Sequence, residues 1–255
     1  MKIARFSHND AIKYGIVDGA ELVVLAEDPL FARYETTGER VSLGDVALLA
    51  PVIPRSKVVC VGRNYRSHAA EFGNDVPAEP LLFFKPNTSV IGPGDAVVRP
   101  PQSDDTQWEG ELAVVIGKIA KNVSAADASD VIFGYTVAND ITARDLQKSD
   151  RQWARAKGMD TFCPLGPAIE TDFDVANGEI ITRHNDAEVQ RGRFADMIFD
   201  IPTIIEYVSA AFTLLPGDVI LTGTPEGVGA FRGGDSVEVE VPGIGILRNP
   251  VRDAQ

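Results

Sequence analysis

Three carboxylates carry the first chemical signal in this sequence. Glu109 and Glu111 sit in the run Gln107-Trp108-Glu109-Gly110-Glu111-Leu112-Ala113-Val114-Val115-Ile116-Gly117. From Glu111 onward the run is apolar and β-branched, which reads as a strand covered on both faces. Side chains alternate along a strand, so residues two positions apart project on the same side. Two carboxylates pointing one way at the mouth of a buried strand repel. Either one stays protonated or a cation holds both. A solvated strand edge carries Glu-x-Glu as readily, so the triplet needs a third ligand. Asp140 is the candidate, at the end of the strand-like run Val131-Ile132-Phe133-Gly134-Tyr135-Thr136-Val137-Ala138-Asn139-Asp140. Element ends present side chains into clefts. Three carboxylates with no thiolate or imidazole partner suit a hard cation, Mg²⁺ or Mn²⁺.

A second signal lies in Gly62-Arg63-Asn64-Tyr65-Arg66-Ser67-His68-Ala69-Ala70-Glu71. In a helical turn after Tyr65, His68 and Glu71 are i, i+3 neighbours. A carboxylate beside an imidazole fixes its tautomer and raises its basicity, as a general base requires. On a surface the same pair is only a salt bridge, and local sequence leaves both readings open. The segment Phe72 to Pro80, polar with Gly and Pro, is expected to be a mobile lid over a site. Lys85 ends another strand-like run, much as Asp140 does. Arg151 and Arg155 read as surface charges, whereas Lys157, before Gly158, reads as a pocket residue. Gly223-Thr224-Pro225-Glu226-Gly227-Val228-Gly229 is a Gly-rich turn able to offer N–H groups to an anion. It matches neither a P-loop nor a dinucleotide fingerprint.

Positioning these residues falls to a chain of 255 residues, 44% hydrophobic, with 23 Gly and 16 Pro, enough to bury a full core. The net charge of −13 and the pI near 4.7 argue against nucleic acid and anionic membrane surfaces as partners. An anionic substrate would need a local basic pocket. The sequence has no apolar run of about eighteen residues and no signal-like N-terminus, so a cytoplasmic location is expected. Cys60 and Cys163 form no CxxC arrangement and read as reduced thiols.

Residues 1–54 read as a small N-terminal β unit, with a hairpin through Asp18-Gly19-Ala20 and a loop from Pro29 to Gly44. Pro51-Val52-Ile53-Pro54 marks the join to a main domain over 55–255. In that domain strands open at Lys57, Pro80, Glu111, Val131 and Val219, and Asp235 to Val241 alternates as a half-buried strand. Ser124 resembles a helix N-cap with an acid at N3. One helical stretch runs from Thr142 to Ala156. A second helix begins at Pro202, its stripe Ile204, Ile205, Val208, Ala211, Phe212, Leu215 facing a core.

Taken in order, Gly62-Arg63-Asn64-Tyr65 with His68 and Glu71, Phe84-Lys85-Pro86, Glu109-Gly110-Glu111-Leu112, Asn139-Asp140 through Arg144-Asp145-Leu146-Gln147, Ala156-Lys157-Gly158 and Thr222-Gly223-Thr224-Pro225 resemble the fumarylacetoacetate hydrolase family over roughly 57–253. The resemblance implies a mainly β chain with α+β character: a mixed β-sandwich roll carrying a small N-terminal β domain. It implies a homodimer or dimer of dimers, and Mg²⁺ or Mn²⁺ (Ca²⁺ as a substitute in a crystal) on Glu109, Glu111 and Asp140. It further implies His68, Glu71 and Lys157 as catalytic residues, with Arg63, Tyr65, Lys85, Arg144, Gln147 and Thr224 against the substrate. The chain lacks the long N-terminal domain and the fourth acidic ligand of the mammalian-type hydrolase and resembles the shorter bacterial members.

The resemblance implies a small 2-oxo (di)carboxylic acid as substrate. Such an acid chelates a cation through its carboxylate and keto oxygens, and the cation stabilises the enolate formed when the neighbouring framework is cleaved or rearranged. The specific expectation is a 2-hydroxyhepta-2,4-diene-1,7-dioate isomerase/decarboxylase of aromatic catabolism. Alternatives are an acylpyruvate or fumarylpyruvate hydrolase and an oxaloacetate decarboxylase. A glycosidase would need its two acids flanking one bond roughly 5–9 Å apart, unlike two glutamates side by side on a strand. A non-catalytic metal-stabilised binding protein is the remaining alternative.

Overall fold

A computed structural model of the chain describes residues 1–71, 73 and 75–254. Phe72 and Asn74, within the expected lid, lie outside the described residues, as does Gln255.

The central element is the strand Gly110–Ile116, every residue of which is buried. Its apolar, β-branched run suits a position covered on both faces. One face presents Leu112, Val114 and Ile116 to a core shared with Val239, Val241 and Leu247 and with Ile204, Ile205 and Val208 of the helix Ile201–Ala211. The other presents Ala113 and Val115 to Val58, Cys60, Cys163 and Leu165. Its neighbours in the sheet are the antiparallel strands Ile132–Asn139 and Val219–Leu221. A parallel step then leads to Val58–Gly62, which pairs with Leu81–Lys85 at the edge.

In the other direction the same sheet passes through Cys163–Glu170 to Lys2–His8, Ala11–Asp18, Glu21–Leu25 and Thr36–Ser42. The N-terminal strands thus join the main sheet directly, with Ile3 opposite Ile169. The expected hairpin forms with Asp18 opposite Glu21. A second sheet, ordered Ala187–Arg193, Glu179–His184, Ser236–Val241, Gly245–Asp253 and Val97–Arg99, covers the core. The chain is mainly β with α+β character, as expected. Among the described residues no helix is long and apolar enough to cross a membrane.

Several boundaries differ from the sequence reading. Thr36–Ser42, expected as loop, is an edge strand whose one buried residue is Val41; its polar sequence hides it, because only one side chain faces the core. The stretch from Thr142 to Ala156 is two short helices, Arg144–Ser149 and Ala154–Gly158. The break lets Trp153 turn onto Phe83, ring centroids 5.3 Å apart, while Arg155 holds Asp150. The later helix ends at Ala211, so Leu215 lies beyond it. Ser124 makes no capping bond and donates instead to the Asp127 carboxylate.

Candidate active site

The end of the central strand gathers the three carboxylates. Glu109 sits at the break before Gly110–Ile116, Glu111 is that strand's second residue, and Asp140 follows Ile132–Asn139 directly. The antiparallel register sets Gly110 opposite Asn139. Two bonds close the junction: Asp140 N–H donates to Glu109 O at 2.8 Å, and Glu109 N–H donates to Asn139 Oδ1 at 2.9 Å. All three side chains are buried, and one carboxylate oxygen from each lies within 4.8 Å of the others. Gly110 between the glutamates is a packing requirement. A Cβ there would meet Thr182 Oγ1 at 2.2 Å and Val239 at 3.0 Å, so glycine lets the second sheet press against this strand.

Basic side chains surround the carboxylates. Lys157 Nζ bridges Glu109 Oε2 at 2.6 Å and Asp140 Oδ2 at 2.7 Å. Lys85 Nζ donates to Asp140 Oδ1 at 2.5 Å and Ile141 O at 3.1 Å. Arg144 pairs with Glu109 Oε1 and also holds Gln147 Oε1 and Gln107 Oε1. Arg144 therefore pairs with the cluster and not with Asp145, which caps Ser103 and Asp104. Burial pushes the Glu109 carboxyl up, but Lys157 and Arg144 outweigh it and hold it well below the usual range. Burial also works against the Lys157 ammonium, yet Asp140 and Glu109 raise its pKa above the ordinary lysine value. Glu111 differs. Burial, reinforced by Asp140 and Glu109, pushes it well up, opposed in part by Lys157 and the Gly223 N–H donated at 2.6 Å.

This donor set fits a hard divalent cation. Three carboxylates converge, and each oxygen can accept one hydrogen bond and still offer a lone pair. A divalent charge would also favour ionised Glu111, the one member that burial disfavours.

His68 and Glu71 fall on the helix Arg66–Glu71, with Nδ1 and Glu71 Oε2 3.2 Å apart. Glu71 Oε1 accepts the Gly227 N–H at 3.1 Å. His68, the three carboxylates, Arg63, Arg144, Gln147, Lys157 and Thr224 line one cavity of about 300 Å³. Arg63 reaches it from a backbone at φ 58°, sparsely populated outside glycine. Three expected site residues stand outside the lining. Glu71 is behind His68. Lys85 is buried behind Asp140. Tyr65 is buried, and burial with Glu111 and Asp196 raises its phenol pKa.

Sequence reading missed Trp153 and Phe83 in the cavity wall, the Asn139 amide that holds Glu109, and Gln190. For Asn139 a signal existed, a polar residue interrupting a buried apolar strand. Gln190 gave none, because it is the one buried residue of its strand and no apolar alternation marks that strand's inner face.

Residues 57–252 match the fumarylacetoacetate (FAA) hydrolase C-terminal family, and residues 1–51 match the Rv2993c-like N-terminal family. Human oxaloacetate tautomerase FAHD2A, mitochondrial, is 48% identical over 81% of this chain and 70% of its own length. The crystal structure of 2-hydroxyhepta-2,4-diene-1,7-dioate isomerase from Mycobacterium marinum superposes at TM-score 0.92 with 46% identity, covering 99% of this chain and 98% of that one. Maleylpyruvate hydrolase from Sphingobium sp. SYK-6, in complex with manganese(II) and pyruvate, superposes at 0.82 with 31% identity over the whole of both chains.

Proposed function

The chain belongs to the fumarylacetoacetate hydrolase family, and from that premise we propose that it moves a proton on the carbon framework beside the keto group of a small 2-oxo dicarboxylic acid. The best specific substrate is 2-hydroxyhepta-2,4-diene-1,7-dioate. The observation that carries this reading is one cavity lined by the three-carboxylate cluster and by His68, whose imidazole Glu71 holds from behind. Relatives named isomerase or tautomerase at 46–48% identity support it over the hydrolase at 31%. Keto–enol exchange of oxaloacetate is the second reading, favoured by the human tautomerase, and uses the same proton transfer.

Glu109, Glu111 and Asp140 would hold Mg²⁺ or Mn²⁺, which supplies Lewis-acid stabilisation to a 2-oxo acid. Charge then selects the substrate. Arg63, Arg144, Lys148 and Lys157 line the cavity against three carboxylates, so a divalent ion there would leave it net positive, which suits an anionic dicarboxylate. His68 takes a proton from one carbon or returns it to another. With Nδ1 engaged by Glu71, the transfer falls to Nε2, and Glu71 stabilises the imidazolium that forms. Lys157 and Arg144 provide positive field as charge builds on the substrate. Phe83 and Trp153 limit water at the reacting carbon.

The test is a panel of 2-hydroxyhepta-2,4-diene-1,7-dioate, enol oxaloacetate, fumarylpyruvate and an acylpyruvate with Mg²⁺, products read by NMR. Isomerised dienoate or ketonised oxaloacetate with intact carbon chains is the expected result. Dominant release of pyruvate with fumarate from fumarylpyruvate, or with the free acid from the acylpyruvate, would make the chain a hydrolase, and dominant release of CO₂, with pyruvate as its partner from oxaloacetate, a decarboxylase. Tight Mn²⁺ binding with turnover of none would favour a metal-stabilised binding protein.

A further inference from the structure

The strand Ala187–Arg193 is polar, yet Gln190 within it is only 2% exposed. Its Oε1 accepts the Gly110 N–H at 3.1 Å. Its Nε2 donates to Pro225 O and to Thr224 Oγ1, both at 2.9 Å, with Glu226 O at 3.5 Å on the periphery. The backbone decides which end of the amide is which. Gly110 N–H can only donate and Pro225 C=O can only accept, so a reversed amide would oppose both.

This orientation has a consequence for Thr224. A hydroxyl carries one proton and two lone pairs. With Nε2 donating into a lone pair, the Thr224 proton is directed elsewhere, and Thr224 lines the cavity of the three carboxylates. We propose that Gln190 is a positioning residue that holds the Thr224 hydroxyl as a donor toward a substrate carboxylate. It contributes to binding of the anion and not to proton transfer. The inference rests on the reading of this cavity as a 2-oxo acid site. Because Gln190 also ties down Gly110, between Glu109 and Glu111, the competing explanation is that it merely braces the carboxylate strand.

A double-mutant cycle on the Mn²⁺-loaded protein separates the two. Gln190→Met, Thr224→Val and the double variant are compared for oxalate affinity by calorimetry, for KM and kcat on enol oxaloacetate, and for Mn²⁺ affinity. Each single change should weaken oxalate and raise KM about tenfold, the usual size of one lost hydrogen bond to a charge. Values of kcat should move less than about twofold, Mn²⁺ affinity should hold, and the double variant should be no worse than either single. Thr224→Ser should bind oxalate nearly as the wild type does. If Gln190→Met does not melt cooperatively, Gln190→Glu, which still accepts from Gly110, takes its place. Independent, multiplying effects in the double variant, or a Mn²⁺ loss with Gln190→Met, would overturn the coupling while leaving the proposed activity intact. Unchanged oxalate affinity in Thr224→Val would overturn it as well. A wild type that neither binds oxalate nor turns over any 2-oxo acid would instead remove the reading beneath it.

Discussion

Gly223 donates its backbone N–H to Glu111 Oε2 at 2.6 Å, from a residue at φ 99° whose Cβ would strike Asn64. Four residues on, Gly227 donates to Glu71. One Gly-rich turn therefore touches both the carboxylate cluster and the His68 dyad. Trp108 Nε1 fixes that turn by donating to Gly227 O at 3.0 Å. The glycines serve the site by letting the backbone approach it closely.

Glu111→Gln keeps an acceptor for the Gly223 N–H but loses the ligand charge. Mn²⁺ affinity by calorimetry should fall by at least about 100-fold, beyond the 10–100-fold typical of outer partners. Thermal melting without metal should change little. Wild-type Mn²⁺ affinity in this variant would remove Glu111 from the cluster.

Gly110→Ala places a methyl where Thr182 Oγ1 would be 2.2 Å away. Urea denaturation should show a loss of about 1–3 kcal/mol from overpacking, with weaker Mn²⁺ binding as the flanking glutamates splay. A fully stable variant would show that the two sheets can part at this point without cost.

Much of this geometry was legible in the sequence. Strand periodicity set Glu109 and Glu111 on one side, and the polar stop of an apolar run marked Asp140 as the candidate third ligand; what brings it beside them is the register that sets Gly110 opposite Asn139, which local pattern does not carry. Helical spacing likewise predicted the contact between His68 and Glu71. Lys85 was ambiguous, because a lysine ending a strand is ordinary until its buried contact with Asp140 is seen. Gln190 was invisible, since its meaning lies in contacts with residues 80 positions before it and 34 after it. Thr36–Ser42 was hidden because an edge strand with one buried side chain carries almost no hydrophobic period.

Asp218 is fully buried and accepts from Ser56 Oγ, Lys57 N, Lys57 Nζ and Leu215 N, fastening the inter-strand join to the turn before Val219. Burial opposes its charge, but Lys57, Ser56 and the backbone donors win and lower its pKa. A depressed folded value adds stability above the ordinary carboxyl value of about 4, lost as pH falls through the folded value. Asp218→Asn should therefore cost about 1–3 kcal/mol at neutral pH, and the gap from wild type should narrow below about pH 4. A gap that is constant with pH would contradict the assignment.

Lys157→Met removes the ammonium that bridges Glu109 and Asp140. Mn²⁺ affinity should hold or rise, since a competing positive charge is gone, while turnover falls by at least about 100-fold as the field on the substrate is lost. A collapse of Mn²⁺ affinity would make Lys157 a brace of the cluster and not a substrate residue.

The proton-transfer account meets its most direct test in the decay of the oxaloacetate enol, followed by its ultraviolet absorbance with Mg²⁺ present and the metal-only rate subtracted. The wild type should accelerate ketonisation, and His68→Ala should slow it by roughly 10² to 10⁴-fold with Mn²⁺ affinity unchanged. A wild type that neither speeds this ketonisation beyond Mg²⁺ alone nor isomerises 2-hydroxyhepta-2,4-diene-1,7-dioate, or a His68→Ala variant that retains the full rate, would contradict the account.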